Sequence, residues 1–286
     1  MLLHTFQHLQ GIGPTRERKL WSCGCKNWQD LLDANFDIAL SGLSKGLLSY
    51  AQGEIKHHLE AYQEGNLAVL AKTFKATDHW RFYRHYAERT AFLDIETTGT
   101  DPQSSIVTVV GLYSEESGPQ VFIDGINIDR FPDAVAKYGI LVTFNGASFD
   151  LPFLRRCFSD LKLPPAHIDC RWLARRVNLS GPLKVVERKI GIARNPSVAD
   201  MTGAEAVTLW QRYIRQNDPE ALELLVRYNL EDTVNLHRLL VYCLKKQFDK
   251  HKFLGIDDSS IGESRSAYWI DAQELIEGAK RDTGIS

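Results

Sequence analysis

Four carboxylates lie at positions where secondary-structure elements could bring them together around a cation. Asp94 and Glu96 end a predicted strand, FLDIETTG, and residues i and i+2 of a strand share a face. Two neighbouring carboxylates raise each other's pKa unless a cation neutralises them. Asp150 follows a later strand, ILVTF, where a helix is predicted to begin. The pattern therefore indicates metal chemistry, provided that the fold joins these groups.

The fourth carboxylate and a tyrosine lie on a late helix. The segment VRYNLEDTVNL is strongly periodic, and it places Tyr228 and Asp232 one turn apart on one face. Taken singly, each pattern also has an ordinary structural interpretation. A carboxylate pair suits a solvated strand edge, an Asp shortly before Pro152 suits a helix start, and a Tyr–Asp pair suits a wet helix face.

In order and spacing, the three patterns resemble the exonuclease motifs of the DEDD superfamily. These are D-x-E on the first strand, N-x3-F-D after a later strand, and Y-x3-D on a late helix. The tyrosine indicates the DEDDy branch, since the His branch would have His at the position of Arg227. The second motif looks most like that of B-family DNA polymerases. From about Ala91 to Leu240, through GPLKVVERKIGIAR and ALELLVRYNLEDTVNL, the chain is also similar to the YprB-type RNase H-like domain.

This resemblance implies hydrolysis of phosphodiester bonds with two Mg²⁺ or Mn²⁺ ions, for which hard carboxylates are suitable ligands. Asp94 would bridge both ions, and Asp150 would serve the second. Glu96 and Asp232 would complete the site that activates water. Tyr228 would orient that water, because a phenol with a pKa near 10 is a poor base at neutral pH.

Further residues are expected near this site. Those that would hold the terminal nucleotide are Thr97, Thr98, Gly99 and Asn145. Asp169 more often ends a strand than binds a metal, so we leave it out of the ligand set. Lys184 could contact phosphate, and a solvated helix face explains it equally well.

The N-terminal stretch LQGIGPTRERKLW resembles a helix-hairpin-helix motif. Gly11 and Gly13 permit a tight hairpin whose backbone N–H groups can bind phosphate without reading sequence. Arg16 and Lys19 add positive charge, whereas Glu17 stands where many such motifs have Ala and is expected to weaken the contact. Gly-Ile-Gly turns also join helices for packing alone, so a structural or partner-binding role stays open.

Periodicity and turn residues predict the elements that must position these groups. Residues 1–86 are predicted as a small all-α domain of helix-hairpin-helix type. Residues 87–246 are predicted as an α/β domain, an RNase H-like mixed sheet flanked by helices. Its strands are AFLDIETTG, SIVTVVGLYS, PQVFIDG, ILVTFN and 166–170, with helices over 133–138, 150–158 and much of 171–247. Residues 247–286 are predicted as a polar extension with a loosely docked helix.

Composition narrows the classes of protein to consider. The 286 residues are 44% hydrophobic and 24% charged, the balance of a globular protein and not of a disordered one. No apolar run approaches the roughly 18 residues of a membrane helix. The start lacks a secretory pattern and five cysteines are an odd, sparse set, so we expect a reducing cytoplasm. A net charge of −2 argues against extensive duplex wrapping.

The leading interpretation is a metal-dependent 3′–5′ exonuclease acting on single-stranded ends of DNA or RNA. Nucleic acid would be its partner, and the terminal segments could dock another protein. Two alternatives stay open. One is a structure-selective endonuclease on the same fold. The other is a non-catalytic nucleic-acid-binding or scaffold module that keeps its acids for metal-assisted binding.

Overall fold

The computed structural model of the chain describes residues 1–255 and 270–284. At its centre lies a five-stranded mixed sheet with the strand order β3-β2-β1-β4-β5. The strands are β1 (Thr90–Thr97), β2 (Val107–Ser114), β3 (Gly118–Ile123), β4 (Ile140–Thr143) and β5 (Ala166–Asp169). The first three strands pair antiparallel, whereas β4 pairs parallel with both β1 and β5. The predicted mixed sheet is thereby confirmed.

Helices precede the sheet and cover both of its faces. The N-terminal helices are α1 (Pro14–Ser22), α2 (Trp28–Leu32), α3 (Ile38–Ser41), α4 (Lys45–Gln63) and α5 (Leu67–Thr73), and a 3₁₀ segment (Ala76–His85) follows them. The later helices are α6 (Phe131–Val135), α7 (Asp150–Cys157), α8 (Cys170–Arg175), α9 (Leu183–Lys189), α10 (Gly203–Gln216), α11 (Pro219–Asp249) and α12 (Ala272–Thr283). Within 1–255 and 270–284, no helix is both long and apolar enough to span a membrane.

Alternation along β1 decides which face of the sheet carries the acids. Ile95 belongs to the apolar cluster that includes side chains of α6 and α7. Phe92 lies on the opposite face, where its ring centroid is 5.0 Å from that of His237 on α11. Because residues i and i+2 share a face, Asp94 and Glu96 also point toward α11.

The long helix α11 lies very close to the sheet. Its start is defined by Asp218, whose side chain accepts the N–H groups of the first turn. In β2, Gly111 pairs with Asp94, and a Cβ at this glycine would lie 2.3 Å from Asn229 Oδ1 and 2.4 Å from Thr233 Oγ1. Glycine at this position therefore allows α11 to approach the strand that carries the acids.

Two predicted boundaries are wrong by a few residues. The helix predicted over 133–138 is α6, Phe131–Val135, which has Pro132 in its first turn, where proline is favoured. The strand predicted to reach Cys170 ends at Asp169, because the Asp169 carboxylate accepts the Arg171 N–H at 3.0 Å and starts α8. In the predicted C-terminal extension, α12 packs on β3 and α11, and residues 256–269 lie outside the described part.

The N-terminal helical region packs against the body that contains the sheet. Apolar side chains of both regions form one continuous buried cluster. Tyr83 shares a buried hydrogen bond with His237 of α11 at 2.9 Å. The backbone N–H of His167 in β5 donates to His79 Nδ1 at 3.1 Å. The segment Ala76–His85 thus connects the N-terminal helices to β1 and also packs against β5.

Candidate active site

Three carboxylates from β1 and α11 come together at one end of the sheet. One oxygen from each of Asp94, Glu96 and Asp232 lies within 4.8 Å of the others. Asn229 of α11 donates from Nδ2 to the Asp94 carboxylate at 3.0 Å and to its backbone carbonyl at 3.1 Å. Glu96 and Asp232 are both buried. The fold therefore joins acids that are 138 positions apart along the chain.

The negative charges of these three carboxylates are not fully neutralised by the positive groups around them. Burial raises the pKa of Asp94 and of Glu96 well above the usual range, and the nearby Asp232 carboxylate raises both further. In the absence of a cation, protonation of the carboxylates relieves the repulsion between them. A cation bound among their oxygens would relieve the same repulsion. Since every donor in the group is a carboxylate oxygen, the residues present fit a hard divalent ion such as Mg²⁺ or Mn²⁺.

Asp150 lies beside this cluster, and the group of three does not include it. It is the first residue of α7 and only 3% of it is exposed. Burial raises its pKa to about 7, and the charge of Asp169 contributes in the same direction. Its own charge raises the pKa of Asp94, so the two carboxylates are electrostatically linked. Asp150 is placed to extend the cluster toward α7.

A tight loop between β4 and α7 positions Asp150. Asn145 has a left-handed backbone with φ of 67°, and the Asp169 carboxylate accepts its N–H at 2.8 Å. A Cβ on Gly146 would lie 2.1 Å from Thr143 Oγ1, so glycine is required here. The Asn145 side-chain oxygen accepts a hydrogen bond from Arg171. The predicted nucleotide-binding amide therefore already has a partner on α8, and Asp169 supports the loop.

The other residues predicted to hold a nucleotide lie in the turn after β1. Thr97 Oγ1 donates to the Gly99 carbonyl at 2.6 Å. Thr98 and Ile106 hydrogen-bond across this turn, with both bonds at 3.0 Å. The strand register shifts between Glu96 and Thr97, which turns the chain next to the acid cluster. The turn is thus held by its own hydrogen bonds.

Tyr228 lies one turn before Asp232 and is buried beneath a lysine. The Lys184 Nζ is 4.7 Å from the centroid of the Tyr228 ring and donates to the Val198 carbonyl at 3.4 Å. Burial, followed by the charge of Asp232, raises the pKa of the Tyr228 phenol. A cavity of about 290 Å³ beside them is lined by all three of Lys184, Tyr228 and Asp232. The phenol keeps its proton, so it is suited to positioning a group and not to removing a proton.

An arginine bridges two buried acids at the edge of the cluster. Arg194, in the loop between α9 and α10, donates from Nε to Glu187 at 2.6 Å and from Nη2 to Asp232. The next backbone N–H, of Asn195, donates to both Glu231 carboxylate oxygens at 3.0 and 3.1 Å. This loop is thus attached to the helix that carries Tyr228 and Asp232.

The N-terminal hairpin turns at Gly11, and among the described residues only a 3₁₀ turn, Leu2–His4, precedes it, so the predicted helix-hairpin-helix motif is not confirmed. Gly11 has a φ of 82°, and Arg16 donates from Nη1 to its carbonyl. Gly13 caps α1, and it is exposed together with Lys19. Glu17 is 1% exposed, and it accepts hydrogen bonds from Thr5 Oγ1 and the Phe6 N–H. The carboxylate of Glu17 is therefore buried and hydrogen-bonded, and the expected weakening of phosphate contact by this acid stays a prediction.

Comparison with known proteins identifies the family of the chain. A family model described as RNase H superfamily matches residues 91–244, more than half of the chain. The chain belongs to the RNase H superfamily. No curated protein matches it.

Among solved structures similar to this RNase H superfamily chain is the family B DNA polymerase of the hyperthermophilic archaeon Pyrobaculum calidifontis. It is 18% identical over 57% of this chain, with a TM-score of 0.42, and the match covers 25% of the polymerase chain. A structure described as the apo form of a nuclease is 18% identical over 73% of this chain and 89% of its own, with a TM-score of 0.40. Brucella melitensis NrnC bound to pGG is 16% identical over 58% of this chain and 78% of its own, with a TM-score of 0.38.

Sequence reasoning missed the polar partners of the acids in this superfamily member. Asn229 follows Tyr228 directly and lies three residues before Asp232, so helical spacing was a usable signal. Arg194 lies 38 residues before Asp232, in the loop between α9 and α10. No local periodicity connects Arg194 to the site. Only the packing of the α9–α10 loop on α11 brings it there.

Proposed function

We propose that this RNase H superfamily chain is a DEDDy-type exonuclease that hydrolyses single-stranded DNA or RNA from the 3′ end. The observation that carries the proposal is the convergence of Asp94, Glu96 and Asp232 within 4.8 Å. Asp150 and Tyr228 lie beside that group, in the order expected of the family. The raised pKa values of Asp94 and Glu96 support a cation as the missing neutralising charge.

Two Mg²⁺ or Mn²⁺ ions would be held by Asp94, Glu96, Asp150 and Asp232, and would supply an acidified water and neutralisation of the phosphate charge. The remaining chemistry is assigned to the chain itself. Asn229 holds the Asp94 carboxylate through its Nδ2. Tyr228, whose pKa is raised by burial, would donate its O–H to orient the attacking water. The turn at Thr97, Thr98 and Gly99, with Asn145, would hold the terminal nucleotide.

The other segments receive roles that support this activity. Residues 1–86 would anchor the strand through backbone phosphate contacts at Gly11 and Gly13, with Arg16 and Lys19 adding charge. Residues 87–246 would form the catalytic unit. Residues 247–286 would form a polar extension, and a protein partner would dock through the N- or C-terminal segment.

The test is product length over time on 5′-labelled single-stranded DNA and RNA with Mg²⁺ or Mn²⁺. We expect a ladder that shortens from the 3′ end and a loss of at least about 100-fold in rate for Asp94→Ala, because a catalytic group that contributes several kcal/mol to the transition state is removed. Asp133→Ala is the matched control, since Asp133 is an exposed acid of α6, which packs on the opposite face of the sheet from α11. It should retain the wild-type rate.

Two substrate variations separate the alternatives. Cleavage of circular oligonucleotides would favour an endonuclease, because an exonuclease requires an end. Intact linear substrate combined with metal-dependent binding would overturn the proposal in favour of a binding module. The ratio of DNA to RNA rates assigns the substrate class.

A further inference from the structure

A slot between two indoles lies next to the loop that carries Asp150. It has a volume of about 140 Å³, and Trp80, Trp172, Ala147, Ile168 and Leu173 are among its lining residues. Trp80 is almost fully buried, whereas 48% of Trp172 is exposed. The slot therefore has an apolar wall formed by the N-terminal region and an accessible aromatic wall formed by α8.

The slot and the candidate active site share the loop between β4 and α7. Ala147 belongs to the loop that runs from β4 into α7, three residues before Asp150. The Asp169 carboxylate accepts the N–H groups of Asn145 at 2.8 Å and of Ala147 at 3.4 Å. One wall of the slot and one carboxylate of the site are thus carried by the same supported loop.

Arginines flank the exposed indole, and acids lie nearby as well: Asp169 lines the slot, and Asp78 pairs with Arg176 at 3.3 Å. The sequence of α8 and the residue after it is CRWLARR, with arginines before and after Trp172. The Arg175 guanidinium lies 4.6 Å from the centroid of the Trp172 ring. Arg171 reaches Asn145 in the Asp150 loop. An accessible indole flanked by arginines suits a planar base that is followed by a phosphate.

We propose that the slot between Trp80 and Trp172 binds a nucleobase of a single-stranded nucleic acid, 5′ to the nucleotide held at the acids. The proposal rests on the proposed function for the direction of the strand. Stacking on Trp172 provides affinity without base identity, since every base has an aromatic face. Arg175, whose guanidinium lies over the Trp172 ring, is placed to meet the adjoining phosphate while the base stacks on the opposite face of the indole. The protein would thereby bind the nucleic acid at two points, the terminal nucleotide and a base next to it.

The test is fluorescence anisotropy with the full chain and short labelled oligonucleotides in which one base at a time is removed to leave an abasic sugar. Phosphorothioate linkages and Ca²⁺ in place of Mg²⁺ limit cleavage. We expect the Kd to rise by about 5-fold or more when the base at one position is removed. This factor corresponds to the smallest contribution that a base stacked on an aromatic side chain usually makes to binding. Trp172→Ala should weaken binding of the intact strand similarly and abolish the sensitivity at that position. Trp172→Phe should retain most of both.

Phe253→Ala is the matched control, because Phe253 is a similarly exposed aromatic at another place on the surface. It should leave the abasic profile unchanged. Unchanged affinity in Trp172→Ala, or an equal loss at every abasic position, would overturn the proposal. The readout is binding, so a position-specific effect of Trp172 would stand even if the ladder assay showed no hydrolysis.

Discussion

At the scale of single residues, the site depends on how its negative charges are balanced. Arg194 provides a positive group to Asp232 and Glu187, and the Glu187 side chain is 1% exposed. Removing one member of a buried ion pair is strongly destabilising, because the remaining charge has lost its partner. The arginine and a divalent cation would both neutralise Asp232. Stability and cation binding should therefore be coupled at this residue.

We predict that Arg194→Met lowers the free energy of unfolding by about 3–5 kcal/mol in EDTA. Mn²⁺ should restore part of that loss, since the ion would neutralise Asp232 in place of the guanidinium. Urea denaturation with and without Mn²⁺ measures both quantities. Arg188→Met, at an exposed position of α9, should change stability by less than about 0.5 kcal/mol. An equal loss with and without Mn²⁺ would show that the ion does not compensate for the guanidinium.

Asp150 gives the metal-free protein a pH dependence of definite sign. Its pKa is raised by burial from 3.8 to about 7, so the folded state binds this proton more tightly than the unfolded state. Stability from this group is present at low pH and is lost as pH rises between these two values. The loss is at most about 4 kcal/mol, at 1.36 kcal/mol for each pKa unit.

We predict that Asp150→Asn becomes more stable relative to the wild type as pH rises through this window in EDTA. Asparagine carries no charge to bury, so the variant escapes the loss. Urea denaturation of both proteins at several pH values measures the difference and cancels the contributions of titrating groups that do not interact with Asp150. A difference that stays constant with pH would contradict the assigned cause.

At the scale of elements, the sequence predicts the strands and the long helix α11 more reliably than the contacts between them. Alternation along β1 is sufficient to place Asp94 and Glu96 on one face, and helical spacing is sufficient to pair Tyr228 with Asp232. The Arg194 contact and the slot at Trp172 depend on how loops and separate elements pack. No single periodic segment of the sequence indicates that packing. Local boundaries are also predicted only approximately, since α6 begins two residues before its predicted start.

The approach of α11 to the sheet is a property of elements that one substitution can test. A Cβ at Gly111 would lie 2.3 Å from Asn229 Oδ1, and Asn229 is the residue that holds Asp94. We predict that Gly111→Ala costs about 1–3 kcal/mol of stability through overpacking and also weakens Mn²⁺ binding. Thermal unfolding and Mn²⁺ titration are the measurements.

Gly53→Ala is the control for this substitution. Gly53 lies within α4, and a Cβ there would meet nothing within 4 Å. Because alanine is the better helix former, that variant should gain about 0.5–1 kcal/mol. If Gly111→Ala bound Mn²⁺ with wild-type affinity, a displacement of α11 would not alter the position of the Asp94 carboxylate through Asn229.

At the scale of the whole molecule, one continuous apolar cluster joins the N-terminal helices to the body that contains the sheet. The helical region therefore has a fixed position relative to β5, through contacts such as that between His79 and the His167 N–H. A strand held at the Gly11–Gly13 hairpin would then be presented to the acids from a defined direction. Phosphate contacts at the hairpin would add affinity without sequence preference.

We predict that the double variant Arg16→Glu, Lys19→Glu binds single-stranded oligonucleotides about 10-fold more weakly at low salt, while short strands are cleaved at the wild-type maximal rate. The charges at this hairpin attract phosphate from outside the acid cluster, so KM should change and kcat should not. The double variant Lys56→Glu, Lys72→Glu, at exposed positions of α4 and α5, is the matched control for reversal of two charges within the same helical region. Salt titration provides a second measurement, because losing phosphate contacts should make binding less dependent on salt. An unchanged affinity and salt dependence would leave the hairpin as a packing feature at the start of α1.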